Sequence, residues 1–354
     1  PDGDMQRMHI ERDFEQIDAV FFSSSQAGKP APNCGQSNLS LKDAKSLDEL
    51  VAMDIIISCQ GSAYTQDMHP KLRAVGWSGY WVDAASALRA EKDSVLVLDP
   101  INGAAIDQAI ECGMKDFIGA NCTVSLLLLA LSGLIKMDCI EWVQVSSYQA
   151  ISGAGAQALS QYLDDVGVAS HVIESLQQPD GGCQLSQSLF NANALLEAPM
   201  LHQSLIGNVW PWIDSLIPEG QTKEEWKATH ESKKILGSHC FNVESQCVRV
   251  GSLRAHAQSV LVKLKPSKLM AISEVEAHLD QAHPWVHLIA NEPEATLSHL
   301  TPQAVSNTLS VHVGRVRPSG LGEEYINLFT VGDQLLWGAS EPLRRMLSKL
   351  IQVC

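Results

Sequence analysis

The stretch DFIGANCTVSLLLLALSGLI, residues 116–135, decides the fold of this chain. A short apolar strand ends at Gly119-Ala120-Asn121, and Cys122 opens an apolar run of helical length. Cys122 is therefore predicted to lie at a strand-to-helix junction. A thiol in the first turn of a helix lies beside unpaired backbone N–H groups, which favour the thiolate and lower the pKa of the cysteine. From its position alone, Cys122 could equally be a buried packing residue.

The segment before this stretch alternates strands with helices, which is typical of a doubly wound, Rossmann-like parallel sheet. The predicted strands are 18–22, 54–59, 80–84 and 94–98, and the predicted helices are 46–52, 64–75 and 101–112. Ligands of such sheets bind at the carboxyl ends of the strands. We therefore expect one edge of the sheet to carry residues 23–25, 60–61, 86 and 121–122. The apolar run 124–135 is shorter than the ~18–20 residues of a membrane span, so it predicts one core helix.

The pattern after residue 140 predicts an α+β domain with a mixed or antiparallel sheet. Its predicted strands are 141–148, 247–250, 257–265 and 308–317, with a turn at 179–182. The chain is therefore expected to be an α/β domain over residues 1–121 followed by an α+β domain over 122–333. A last helix over 334–354 could return to the first domain.

Length and charge limit the possible functions. A chain of 354 residues predicts roughly two domains of ~150 residues each. The 25 Lys and Arg residues against 40 Asp and Glu residues give a net charge of −15, which disfavours nucleic acid or an anionic membrane as a partner. The nine cysteines show neither a disulfide framework nor a CxxC zinc pattern, so no metal is expected. The absence of a signal-peptide pattern favours the cytoplasm.

Several further positions could carry chemistry, each with a structural alternative. His256 could act as an acid or base, although one histidine among twelve is more often a surface or core residue. Arg249 lies between valines, so its guanidinium is expected to point inward and to need a buried carboxylate or an anionic substrate. Arg89 is open to the same two interpretations. Glu224 and Lys227, one turn apart, would ordinarily form a solvent-exposed helical pair.

Taken together, several motifs resemble the aspartate-β-semialdehyde dehydrogenase family, in particular its Gram-negative bacterial branch. These motifs are GANCTVSLLLLAL, SSYQAISGAGA, EEWK, CVRVGSLRAH and VGDQLLWGASEPLRRML. The resemblance extends from about Met5 to Leu350 and includes FFSSSQAGK, WVDAASALR and LTPQAVSNTLSVHVGRVR. It implies that residues 1–121 form an NADP-binding domain, to which the helix 334–354 returns. Residues 122–333 would form a catalytic and dimerisation domain.

The resemblance also implies a role for each matching residue. The catalytic residues would be the nucleophile Cys122, the acid/base catalyst His256, and Gln149, which orients the acyl group. The substrate carboxylate would be held by Arg249, its amino group by Glu224, and phosphate by Arg89, Asn121 and Lys227. The NADP-binding residues would be Ser24, Ser25, Gln60, Gly61, Ser86, Gly153 and Gln334.

The implied reaction is the reversible, NADP-dependent reductive dephosphorylation of L-aspartyl β-phosphate to L-aspartate β-semialdehyde. It would pass through a thioester on Cys122 and release inorganic phosphate. This step belongs to the biosynthesis of diaminopimelate and lysine, threonine, methionine and isoleucine. The resemblance further implies a homodimer.

Family members begin with an apolar strand and a Gly-rich, GxxGxxG-type loop that approaches the cofactor pyrophosphate. This sequence begins with PDGDM, inside the helix that follows such a loop, so we expect a chain truncated at its N-terminus. Two alternatives remain: an inactive paralogue acting as a dimeric binding or regulatory subunit, and the sibling N-acetyl-glutamyl-phosphate reductase. The joint presence of Cys122, Gln149, Arg249 and His256 favours an enzyme, and the EEWK and VRVGSLRAH segments favour the aspartate enzyme.

Overall fold

The computed structural model describes residues 2–35, 39–175 and 205–353. The chain forms two compact units. The first comprises Pro1–Asp138, His230–Phe241 and Leu335–Cys354, and the second comprises Cys139–Thr229 and Asn242–Gln334. The turn predicted at 179–182 lies outside the described residues.

The first unit is built on a four-stranded parallel sheet, as predicted. The unit as a whole contains six strands among its described residues, which in chain order are β1 (Phe22–Ser23), β2 (Lys42–Asp43), β3 (Ile55–Ser58), β4 (Tyr80–Asp83), β5 (Ser94–Val97) and β6 (Asp116–Gly119). The sheet order is β3-β4-β6-β5, while β1 and β2 form a separate parallel pair. Its helices are Asp2–Ile10, Leu47–Leu50, Ser62–Ala74, Asp99–Glu111, Cys122–Ala130, Ser132–Lys136 and Glu341–Leu350. Val82, Phe117 and Leu343 lie in the core between the sheet and the last helix.

Three predicted elements of this unit differ from the observed ones. The strand predicted at 18–22 is reduced to Phe22–Ser23. The single helix predicted over 124–135 is broken at Leu131, where the ψ angle of 3° departs from helical geometry. Ser132 and Gly133 follow directly, and such Ser/Gly pairs are common sites of helix kinks. The final regular α-helix is shorter than predicted and is preceded by the π-helical segment Leu336–Ser340.

The second unit contains a six-stranded mixed sheet, which confirms the predicted class. Its strands are β7 (Ile140–Gln149), β8 (Asn242–Arg249), β9 (His256–Leu264), β10 (Val286–Leu288), β11 (Val311–Ser319) and β12 (Gly322–Gly332). The order is β10-β11-β12-β9-β7-β8, with β7/β8 and β10/β11 parallel and the other pairs antiparallel. Its helical elements include Ala156–Ser175, the first half of Lys223–Leu236, Ile272–Asp280, Pro293–His299 and Pro302–Val305. Strands β10 and β12 were not predicted.

The register of this sheet brings three candidate residues to one end. Gln149 ends β7 opposite Arg249 at the end of β8. His256 begins β9, which runs antiparallel to β7, so it also lies at this end. Strand geometry thus brings Gln149 to the same end of the sheet as Arg249 and His256, which lie a hundred or more positions later in the sequence.

The first unit extends past residue 121, where we predicted the domain boundary, because the helix Cys122–Ala130 packs within it. The functional division into a cofactor domain and a catalytic domain stays a prediction. Within the described residues, no helix is long and apolar enough to cross a membrane.

Candidate active site

Cys122 is the first residue of the helix Cys122–Ala130, and only Ala120 and Asn121 separate it from strand β6, as predicted. Asn121 caps this helix: its Oδ1 accepts hydrogen bonds from the N–H groups of Thr123 at 2.9 Å and Val124 at 3.4 Å. A side-chain acceptor at this position satisfies N–H groups that the helix itself leaves unpaired. Cys122 is partly exposed and forms no disulfide bond.

Gly338 packs directly on Cys122 within the first unit. A Cβ atom added at Gly338 would collide with the Cβ and Cα atoms of Cys122. The close approach of the segment Leu336–Ser340 to the start of the helix therefore requires glycine at this position. Nothing in the sequence WGAS, residues 337–340, indicated this packing role.

Arg89 is paired inside the first unit. Its Nη1 lies 3.2 Å from Oε1 of Glu231, and its Nη2 donates to the carbonyl of Ala84 at 3.1 Å. The sequence left two possible partners for Arg89, a buried carboxylate or an anionic substrate. The structure contains the buried carboxylate, that of Glu231, which was not among the candidate residues.

Four of the residues expected to bind the cofactor follow the carboxyl ends of β1, β3 and β4: Ser24, Gln60, Gly61 and Ser86. The hydroxyl of Ser24 donates to Oε1 of Gln60 at 3.0 Å. Gly61 precedes the helix Ser62–Ala74 with a φ angle of 89°, which favours glycine. The hydroxyls of Ser62 and Ser86 lie 3.4 Å apart. The expected grouping of these residues on one sheet edge agrees with these contacts. Ser25 is exposed beside Ser24.

Gln149, Arg249 and His256 are all buried in the second unit. Nη1 of Arg249 donates to the carbonyl of Ala150 at 2.8 Å. The neighbouring N–H of Ala150 donates to Nδ1 of His256 at 3.0 Å. The backbone of one residue, Ala150, thus holds both the guanidinium and the imidazole, through its C=O and its N–H.

His256 is neutral at physiological pH. Burial, and secondarily the charge of Arg249, lower its pKa to about 3. Because Nδ1 accepts the Ala150 N–H, the neutral ring carries its proton on Nε2. His256 can therefore donate a hydrogen bond from Nε2 to an oxygen atom.

Gly153 and Gln334, which the resemblance assigns to the cofactor, lie beside this group in the second unit. A Cβ atom added at Gly153 would lie 2.9 Å from Nη1 of Arg249 and 3.3 Å from Nε2 of His256. Gln334 donates to the hydroxyl of Ser152 at 2.7 Å, and its Oε1 accepts the N–H of Ala255 at 2.8 Å. Gly153 thus lies against His256 itself, and Gln334 contacts Ala255, the residue before it.

Glu224 and Lys227 are buried, so the interpretation as a solvent-exposed pair is wrong. The Lys227 ammonium lies 2.9 Å from Oε2 of Glu224 and 2.8 Å from Oδ2 of Asp214. Burial acts to lower the pKa of Lys227, but the two carboxylates outweigh it and raise the pKa. Oε1 of Glu224 also accepts a hydrogen bond from Gln149 at 3.4 Å. This contact links the ion pair to the group at the strand ends.

Comparison with known proteins places these features in a family. Residues 5–109 match the semialdehyde dehydrogenase NAD-binding domain, and residues 131–337 match the semialdehyde dehydrogenase dimerisation domain. The structure of aspartate semialdehyde dehydrogenase from Francisella tularensis is 46% identical and covers 98% of this chain and 95% of its own, with a TM-score of 0.92. The chain belongs to the aspartate-semialdehyde dehydrogenase family. The predicted family, fold class and enzyme class are confirmed.

More distant members share the fold. Aspartate semialdehyde dehydrogenase II from Vibrio cholerae, solved in complex with ASA, is 23% identical, covers 99% of this chain and 94% of its own, and has a TM-score of 0.78. The enzyme from Candida albicans, solved with NADP, is 18% identical, covers 96% of this chain and 92% of its own, and has a TM-score of 0.64. The family makes this chain an oxidoreductase with a nicotinamide-dinucleotide-binding domain.

Proposed function

We propose that this chain catalyses the reversible, NADP-dependent reductive dephosphorylation of L-aspartyl β-phosphate to L-aspartate β-semialdehyde, through a thioester on Cys122. The observation that carries the proposal is the buried group of Gln149, Arg249 and His256 at the neighbouring ends of three strands. A buried guanidinium suits the substrate carboxylate, and a neutral imidazole suits the reacting oxygen.

In the oxidative direction, the Cys122 thiolate adds to the aldehyde carbon, and the aldehyde oxygen becomes an alkoxide. His256 holds its proton on Nε2 and donates a hydrogen bond to that oxygen. Gln149 orients the acyl group, Arg249 binds the α-carboxylate and Glu224 binds the amino group. Departure of hydride from the alkoxide carbon restores the carbonyl and leaves a neutral thioester on Cys122. The nicotinamide ring, when bound, would be the acceptor of this hydride.

Phosphate then attacks the thioester carbonyl, and Cys122 leaves as its thiolate to give aspartyl β-phosphate. We assign phosphate binding to Arg89, Asn121 and Lys227. Two of these residues carry positive charge, which suits a multiply charged anion in an acidic protein. In the cell the reaction would run in the reductive direction.

The residues assigned to NADP fit a nucleotide. Gly61 has open space where a Cβ would lie, and it begins a helix whose N-terminal N–H groups can bind phosphate oxygens. Ser24 and Ser25 are exposed hydroxyl-bearing residues suited to a 2′-phosphate. Gln60 positions Ser24, and Ser86 lies on the same edge. Gly153 and Gln334 would contact the nicotinamide end, beside His256.

We further propose a homodimer formed through the second unit, which contains most of the region matching the dimerisation domain. The cytoplasm is the proposed compartment.

The test is phosphate-dependent reduction of NADP by L-aspartate semialdehyde, with NAD in parallel. We expect a rate that requires phosphate and that is higher with NADP than with NAD. His256→Asn should lower kcat by about 10²–10⁴-fold with a smaller effect on KM. Asn retains an acceptor for the Ala150 N–H but cannot replace the imidazole. Phosphate-independent turnover would reject the proposed reaction, and an effect of His256→Asn confined to KM would reject the role of His256.

A further inference from the structure

We propose that Glu231 and Lys234 are positioning residues that hold Arg89 and the turn before Cys122 in their working geometry. Both lie on the helix Lys223–Leu236, one turn apart, and neither was identified from the sequence. The inference rests on the proposed function, from which Arg89 takes its role in binding phosphate.

Glu231 forms a bridge between two parts of the first unit. Its Oε1 lies 3.2 Å from Nη1 of Arg89, and its Oε2 accepts the backbone N–H of Asn121 at 2.6 Å. The carboxylate is buried, and each of its oxygens has a partner. A buried carboxylate is costly unless it is paired and hydrogen-bonded, so both contacts are needed to stabilise it. Glu231 therefore ties the side chain of Arg89 to the residue that precedes Cys122.

Lys234 holds the main chain around Arg89. Its ammonium donates to the carbonyls of Arg89 at 2.9 Å and Glu91 at 2.6 Å, and to the hydroxyl of Ser94 at 2.9 Å. An ammonium has three N–H donors, and all three are matched by these oxygens. The side chain and the backbone of Arg89 are thus fixed by two residues of a single helix.

The guanidinium of Arg89 keeps binding capacity despite these contacts. Nη1 is used by Glu231 and Nη2 by the carbonyl of Ala84, while Nε is buried without a hydrogen-bond partner. Nη1 and Nη2 each carry two N–H groups, of which the described contacts account for one, so each can donate to a further acceptor. The structure therefore holds the arginine in place and leaves a donor unused.

Glu231 also places a negative charge beside the Cys122 turn. The carboxylate accepts a hydrogen bond from the backbone N–H of Asn121, and Asn121 is the residue before the nucleophile Cys122. A carboxylate near a thiol disfavours the thiolate, in opposition to the helix N-terminus. Removing the charge at Glu231 should therefore make Cys122 ionise at lower pH.

The experiment compares wild-type enzyme with Glu231→Gln. The amide oxygen of Gln can keep the Asn121 bond, but its NH₂ group then faces Nη1 of Arg89, donor against donor, and the guanidinium must move. We expect KM for phosphate to rise about tenfold or more, with little change in KM for NADP. We also expect the pH midpoint of Cys122 alkylation by iodoacetamide to fall. Alkylation at Cys122 is identified by peptide mapping.

The matched control is Glu225→Gln on the same helix. Glu225 also accepts backbone N–H bonds, from Thr222 at 2.8 Å and Cys247 at 3.2 Å, but does not touch Arg89 or Asn121 in the described contacts. Its KM for phosphate and its alkylation midpoint should match wild type. If Glu231→Gln behaves like this control, or raises every KM equally, the positioning role is rejected.

Lys234→Met separates the two parts of the proposal. It removes the contacts to the backbone of Arg89 but leaves the Glu231 carboxylate and its hydrogen bond from Asn121 in place. KM for phosphate should rise, and the alkylation midpoint should not fall, because the change removes a cation from beside Glu231. An unchanged KM would reject the role of Lys234. If Glu231→Gln shows no cooperative thermal unfolding, the KM for phosphate of Lys234→Met alone tests the positioning role. If wild type shows no phosphate-dependent activity, the proposed function fails, and the alkylation midpoint of Glu231→Gln still tests the bridge.

Discussion

His256 shows why a residue can be predicted from sequence while its chemical state cannot. The motif CVRVGSLRAH identified it through the family resemblance. Its protonation depends on the N–H of Ala150, on the charge of Arg249 and on complete burial, and neither the Ala150 contact nor the burial is visible in that motif. These contacts make it a neutral donor. Glu224 and Lys227 give a similar lesson, because helical spacing indicated the pair but not its burial or the contribution of Asp214.

The depressed pKa of His256 predicts acid sensitivity of the fold. The native ring stays neutral to a pH of about 3, whereas the unfolded ring takes up a proton below about 6.5. The unfolded state therefore binds more protons in this range, and stability falls as pH falls. Between pH 7 and pH 5, this residue should cost about 2 kcal/mol of the free energy of unfolding.

Urea unfolding of wild type and His256→Asn at both pH values measures this contribution. Between pH 7 and pH 5, the free energy of unfolding of the variant should fall by about 2 kcal/mol less than that of wild type, because Asn does not titrate. An equal loss in both proteins would show that His256 is not held neutral.

At the scale of elements, the strand-to-helix junction at Cys122 was predictable because it depends on local pattern. A short apolar strand, a small-residue turn and a long apolar run determine it. The break at Leu131 was not predictable from that run, since both pieces are apolar and buried. In strand β12 the side chains from Tyr325 to Thr330 alternate between partly buried and buried. The adjacent apolar pairs Tyr325-Ile326 and Leu328-Phe329 hide this alternation in the sequence. Strand β10, with only three residues, is too short for a periodic signal.

Gly338→Ala tests the packing at the start of the Cys122 helix. The added Cβ would collide with the backbone and Cβ of Cys122, so the helix start must move. We expect a loss of about 1–3 kcal/mol in the free energy of unfolding and slower alkylation of Cys122. Gly103→Ala is the control, because a Cβ there meets open space and its φ is not in the left-handed region. If both variants unfold alike, the close packing at Gly338 has no energetic importance.

At the scale of the whole molecule, the chain has a net charge of −15 and yet buries the cations Arg249 and Lys227. Arg89, Arg249 and Lys227 each have partners in the fold, and the proposed ligands are anions. The sequence could not reveal that Glu231, far from Arg89 in the chain, pairs with it. Such contacts depend on tertiary packing and leave no local pattern.

The proposed homodimer predicts a surface that a second copy covers. Val209, Trp212 and Leu216 lie in the region that matches the dimerisation domain and are 56%, 54% and 60% exposed in the single chain. Large apolar side chains that are exposed close together indicate an interaction site. We expect sedimentation to give the mass of two chains, and Trp212→Glu to weaken the dimer.

Val75→Glu is the control for the dimer experiment. Val75 is 59% exposed but lies outside the dimerisation match, so this variant should stay dimeric. A monomeric wild type would contradict the proposed assembly, and a fully dimeric Trp212→Glu would exclude this surface.

The central claim is that Cys122 carries the acyl group, and the most direct test is to observe it there. L-Aspartate semialdehyde and NADP are mixed with the enzyme in the absence of phosphate, quenched in acid and analysed by peptide mass spectrometry. We predict a burst of NADPH and an aspartyl thioester on the peptide that contains Cys122, and neither in Cys122→Ala. Addition of phosphate should discharge the thioester. An NADPH burst without an adduct, or an adduct on another cysteine, would contradict the account.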